Sequence, residues 1–231
     1  MLSLAAFQSG LGRALRGENT CPLDPGSPGF RFTTSVRRSW CEGRAMVAAR
    51  TVLKLVSEPE RRRLVAEYID AGGGLEMFLP AENEAFLRFL EPRLPGPSHP
   101  LSLCRMDRAL TRARLGAETF QPPERPGGLG HSHRYRIERG PHAVLVWFHA
   151  DPGAVLKALH GAPSPPVGEP TCAMLFAPGL PHLYRVATPA EAALWAMLPT
   201  DNVSFDVVEP LLAEGAVIRT RILDRKAFSP R

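Results

Sequence analysis

The chain has 231 residues, 44% of them hydrophobic, and a formal net charge of +5. At roughly 150 residues per domain that is one large domain or two small ones, with enough apolar content to exclude a wholly disordered chain. No apolar run approaches the roughly 18 residues of a membrane span, and mild Arg-rich basicity permits an acidic partner without requiring nucleic acid.

Four cysteines (Cys21, Cys41, Cys104, Cys172) are widely spaced with no C-x-x-C pair, so they read as reduced thiols of a cytoplasmic protein. The N-terminal stretch fits an amphipathic helix through Leu4, Phe7, Leu11 and Leu15. A Pro/Gly/Asp-rich loop over 19–30 follows, then a helix from about Thr34 to Val56, with Val36, Trp40, Val47, Leu53 and Val56 among its apolar positions. Ser57 and Glu60 form a capping-box pattern before a helix whose stripe is Leu64, Val65, Tyr68 and Ile69. Three glycines, Gly72 to Gly74, stop it. The next helix carries Pro80 early, Glu82 and Glu84 near its positive end, and Phe86, Phe89 and Leu90 on its apolar face.

A fifth helix runs through SHPLSLCRMDRALTRARLGAE, with an expected seam of Leu103, Met106, Leu110, Ala113 and Ala117. Arg105, Arg108 and Arg112 line a second stripe, which a solvated face would also explain. Residues 121–133 are a linker by composition, and the texture changes after it. Strand-like runs occupy 134–138, 142–150, 171–178 and 182–187, with a turn and short helix after the second. Thr188 and Glu191 open another helix with a capping box; a last helix over about 203–214 and a strand over 217–223 close the pattern. The expected architecture is α+β: a helical domain, 1–120, then a small sheet domain with flanking helices, 134–231.

Catalytic signatures do not emerge from the residues. The pair His131 and His133 has no carboxylate or cysteine at a recognisable ligand spacing, and there is no H-E-x-x-H, G-x-S-x-G or phosphate-binding loop. The chain is therefore expected to hold no metal or cofactor of its own. A binding module is the other class: the edge of a small sheet accepts an extended peptide as an added strand. The run Leu183, Tyr184, Arg185 and Val186 has the length and alternation for that role.

The runs FRFTTSVRRSW (30–40), RRRLVAEYI (61–69), MFLPAENEAFLRFL (77–90) and LPGPSHPLSLCRMDRA (94–109) form an ordered series. Together with HAVLVWF, APGLPHLYRV and EAALW in the second half, this series resembles the partner proteins encoded beside multinuclear non-heme iron oxygenases. Such pairs serve the methanobactin and 3-thiaglutamate pathways. The resemblance implies a non-catalytic subunit of a heterodimer with a TIM-barrel enzyme that carries the iron. That subunit binds the leader of a ribosomally made precursor peptide and presents its core, commonly a cysteine. Arg105, Arg108 and Arg112 would then meet an acidic enzyme or leader surface. The helical half of related proteins is sometimes described as DNA-binding, which makes a regulatory DNA-binding protein the alternative.

Overall fold

A computed structural model describes residues 9–10, 12–13, 26–123, 135–201 and 205–221. The stripe Leu4, Phe7, Leu11 and Leu15, together with Cys21, His131 and His133, lies outside the described residues, as does most of the linker. The architecture is α+β, with eight α-helices among the described residues and five short strands confined to the second half. The chain divides into two units, Met1–Leu94 and Pro95–Arg231. The domain break expected near residue 120 thus falls earlier, and the helix carrying Arg105, Arg108 and Arg112 belongs with the strands.

The first unit is helical. Helix α1 (Pro28–Ala48) starts at Ser27, whose hydroxyl accepts a hydrogen bond from the Phe30 N–H at 3.3 Å, with Pro28 at the tolerant first position. It is followed by a short turn α2 (Arg50–Leu53), then α3 (Glu58–Asp70) and α4 (Leu79–Leu90). The expected stripe of α3 is buried, and Tyr68 stacks on Phe86 with centroids 4.4 Å apart. Ser57 flanks α3 but its hydroxyl makes no cap bond; Glu60 instead accepts from Arg63 at 2.6 and 2.8 Å. Glu82 is fully buried, accepting from the Tyr68 hydroxyl (2.5 Å) and from the N–H groups of Gly74 (3.0 Å) and Glu76 (3.1 Å). That carboxylate folds the 72–78 loop onto α4, a larger role than the helix-end charge expected of it. Burial, and then the same contact with Glu82, push the Tyr68 phenol pKa up.

Helix α1 departs most from expectation. Val36, Trp40 and Val47 are exposed, and the buried face is Cys41, Ala45 and Ala48. The reason is close approach. A Cβ on Gly74 (φ +83°) would stand 2.5 Å from the Cys41 Cβ, so the neighbouring backbone reaches α1 only where its side chains are small. Large apolar residues on α1 would hold it off.

The second unit opens with α5 (His99–Ala117), capped by the Ser98 hydroxyl, which accepts from the Leu101 N–H at 3.2 Å. Strands β1 (Tyr135–Arg139) and β5 (Val217–Arg221) pair antiparallel as one two-stranded sheet. Strands β2 (Val144–Phe148), β3 (Cys172–Phe176) and β4 (Tyr184–Val186) form an antiparallel sheet in that order. Helices α6 (Pro152–Ala158), α7 (Pro189–Met197) and α8 (Phe205–Ala213) complete the unit. The central strand β3 is buried on both faces. Leu175 and Ala173 join a core with Leu194, Trp195, Leu211 and Val217, while Met174 and Phe176 point to the opposite face by strand alternation.

Helix α5 packs along β2, again through small residues. Ser102, Ala109, Ala113 and Gly116 are buried with Leu103, whereas the expected seam members Met106 and Leu110 are half-buried and Ala117 is exposed. A Cβ on Gly116 would meet the His142 Cβ at 2.5 Å.

Candidate functional site

The sheet β2-β3-β4 has two outer strands, and they are treated differently. The hydrogen bonds Ala177 N–H to Leu183 C=O (3.1 Å) and Ala187 N–H to Ala173 C=O (2.8 Å) bracket the β3–β4 ladder. By antiparallel alternation Arg185 bonds inward to Leu175, so the backbone groups of Tyr184 and Val186 point outward. The same counting turns the Trp147 carbonyl of β2 outward, where the Ser102 hydroxyl of α5 donates to it at 3.1 Å. Helix α5 therefore covers the β2 edge. Among the described residues no strand pairs with the outer side of β4.

Of the four residues expected to bind peptide, Tyr184, Arg185 and Val186 make up β4 and Leu183 precedes it, and their side chains divide. Tyr184 and Val186 are exposed on one face, with the Tyr184 ring tilted against Phe176 at 5.8 Å between centroids. Arg185 faces the other way and is fully engaged. Its guanidinium donates to Glu191 (2.6 and 2.8 Å) and to Glu214 (2.7 and 2.9 Å), and to the Val186 carbonyl at 3.1 Å. Two carboxylates gripping one guanidinium raise its pKa further. Burial opposes ionisation of Glu191, yet Arg185 and the Thr188 N–H outweigh it and hold that carboxyl below its ordinary range. Arg185 is therefore a strut joining β4 to α7 and to the turn that follows α8, not a side chain offered to a ligand. Leu183 precedes the strand in the left-handed region at φ 65°, a conformation unusual for a branched side chain.

Glu191 is also the residue of the capping box, accepting from the Thr188 N–H at 2.7 Å while the Thr188 hydroxyl accepts from the Glu191 N–H at 3.2 Å. The box is legible in the sequence; the second duty of Glu191 is not. The clasp of Glu191 and Glu214 on Arg185 spans 29 residues and leaves no local pattern. The exposed edge therefore offers the N–H and C=O of Tyr184 and the N–H of Val186, beside an aromatic–aliphatic surface.

Arg105, Arg108 and Arg112 fall on one stripe of α5, bordering its buried face; Arg105 and Arg112 are exposed and Arg108 is half-buried. Neither Arg105 nor Arg108 is without a partner. Asp107 beside them is desolvated, which pushes its pKa up to about 6. Cys41 and Cys104 are buried and Cys172 half-buried, all as free thiols; burial raises the pKa of Cys41 and Cys172, so both stay protonated. His99 is buried and bonds the Pro165 carbonyl through Nε2 at 2.7 Å, and His149 meets the Gly168 carbonyl at 3.0 Å. Among the described residues no three His, Cys, Asp or Glu side chains are grouped to hold a metal ion, and no helix is long and apolar enough to cross a membrane. No protein-family model and no curated protein matches the chain.

Proposed function

We propose that this chain is a non-catalytic partner that binds the leader of a ribosomally made precursor peptide and presents its core, a cysteine, to a multinuclear iron oxygenase. The reading rests on the resemblance drawn from the sequence and on one observation. The run expected to take the peptide contains an outer strand of a three-stranded sheet, with which no further strand pairs among the described residues, while the opposite edge lies under α5. An extended leader segment adds as a strand, exchanging hydrogen bonds with Tyr184 and the Val186 N–H, and sets an apolar side chain against Tyr184, Val186 and Phe176. The clasp of Glu191 and Glu214 on Arg185 fixes the strand before the peptide arrives, which lowers the ordering cost of binding. Three outward backbone groups give modest affinity by themselves, so side-chain contacts must supply the rest. The iron and the oxidation belong to the partner enzyme.

The test is co-expression with the oxygenase of the same gene cluster, then size exclusion with metal analysis of each peak, then titration with the precursor peptide. The expected result is a co-eluting complex with iron in it only when the enzyme is present. Val186→Pro deletes one outward N–H without touching the β3 ladder. It should weaken peptide binding about 5- to 10-fold, the worth of about 1 kcal/mol, with the melting temperature unchanged. Separate elution, or duplex DNA held by this chain with steep salt dependence, defeats the reading and returns the DNA-binding alternative.

A further inference from the structure

The apolar residues that α1 does not bury form the largest unexplained feature of the first unit. Phe32, Val36, Trp40 and Val47 recur at spacings of four, four and seven, on the side opposite Cys41, Ala45 and Ala48. Phe32 is 71% and Trp40 55% exposed. The stripe is extended by the 75–78 loop, where Met77 is 81% and Phe78 67% exposed. Arg44 joins the two. Its guanidinium lies over the Trp40 ring, 4.7 Å from the centroid, and Nη2 donates to the Glu76 carbonyl at 2.6 Å. Aromatic and aliphatic side chains exposed along one face of a packed helix mark an interaction site.

Charge selects the occupant. Between Pro28 and Arg50 the chain carries Arg31, Arg37, Arg38, Arg44 and Arg50 against one acid, Glu42. That acid is already paired with Arg38 at 3.0 Å, and Arg38 also holds Asp70 at 2.6 Å. Arg37 and Arg44 flank the stripe on one side, Arg31 and Arg38 on the other. An antiparallel second copy centred near Trp40 would bring Arg37 of one helix beside Arg44 of the other. A parallel copy would set both against a flank where Arg31 and Arg38 are balanced by Glu42 and Asp70. Like charges meet in the antiparallel case and the parallel case gains no net opposite charge, so a second copy is a poor complement. An acidic rim around an apolar centre is the right one. A braced Trp and Arg pair is the composition of a protein–protein anchor.

We infer that the outward face of α1, with Met77 and Phe78, docks a protein partner bearing an acidic-rimmed apolar surface. Resting on the functional reading above, that partner is the oxygenase, and its seat is α1 rather than the Arg105, Arg108 and Arg112 stripe of α5. The experiment measures affinity of the purified full chain for the purified oxygenase by calorimetry, comparing wild type with Trp40→Glu, Phe32→Glu and Arg112→Glu. Both α1 positions are exposed, so circular dichroism melts should stay at the wild-type value and certify folding. The expected result is at least about a 30-fold loss for Trp40→Glu and Phe32→Glu, and under about 3-fold for Arg112→Glu. Affinity for the precursor peptide should be unchanged in all three. Wild-type binding that persists in both α1 variants overturns this inference and leaves the functional reading standing. No complex with wild type overturns both. Trp40-dependent sedimentation with anionic phosphatidylserine vesicles, with oxygenase affinity intact in the variant, also overturns it and makes the face a membrane contact.

Discussion

Helices α1 and α5 solve the same packing problem and end with opposite surfaces. Each turns its small residues inward: Cys41, Ala45 and Ala48 in α1, and Ser102, Ala109, Ala113 and Gly116 in α5. Each is then approached closely by its neighbour, Gly74 in one case and His142 in the other. What remains outside differs. On α1 it is Phe32, Val36, Trp40 and Val47 within an arginine rim; on α5 it is Arg105, Arg112 and Arg114 with a lone Leu115. The lesson is that the face a helix buries is set by how near its partner must come, and the largest apolar side chains do not always follow it.

The comparison breaks most sharply on volume. Ala45 is fully buried, so Ala45→Leu should destabilise the fold by about 3 kcal/mol, the upper range for overpacking, read from urea unfolding. The equally conservative-looking Trp40→Ala on the outer face should cost less than about 0.5 kcal/mol. Equal losses would mean that α1 buries the stripe after all. In α5 the matching substitution is Gly116→Ala, whose new methyl collides with the His142 stem. It should cost about 1–2 kcal/mol, while Leu115→Ala leaves the unfolding midpoint within error.

The smallest effect concerns charge and has the opposite sign. The depth of α5 desolvates Asp107 and raises its pKa from 3.8 to about 6, whereas Glu42 on α1 sits half-buried beside Arg38. A carboxyl with a raised folded pKa holds its proton more tightly in the native state. Its penalty is absent below about pH 4, grows as pH rises from the unfolded value to the folded one, and is complete above about pH 6. Asp107→Asn should therefore stabilise the protein by about 1 kcal/mol at pH 8, with the gain vanishing at pH 4. A melting-temperature difference that is flat across this range would mean that Asp107 is well solvated.

Much of the fold was legible in the sequence because its signals are local. The stripe Leu64, Val65, Tyr68 and Ile69 is buried where periodicity put it. The Thr188–Glu191 capping box forms as read, and five strands lie within two or three residues of their expected ends. Misreadings arose where a distant neighbour decides. Periodicity points the seams of α1 and α5 toward the bulky residues, since nothing within either helix announces how close Gly74 or His142 comes. The capping box before α3 does not form: the Ser57 hydroxyl makes no cap bond and Glu60 pairs with Arg63. At the candidate site, the alternation of Leu183 to Val186 gives a strand but not its rank in a sheet.

The sequence by itself determined most of which segments are helix and strand and that the chain is mildly basic, because propensity, caps and charge act over a few residues. Tertiary structure alone decided that β4 is an outer strand, that Arg185 is held by Glu191 and Glu214, and that the aromatic face of α1 stays outside. Each of these depends on groups brought together from far along the chain, and only the folded packing sets those distances.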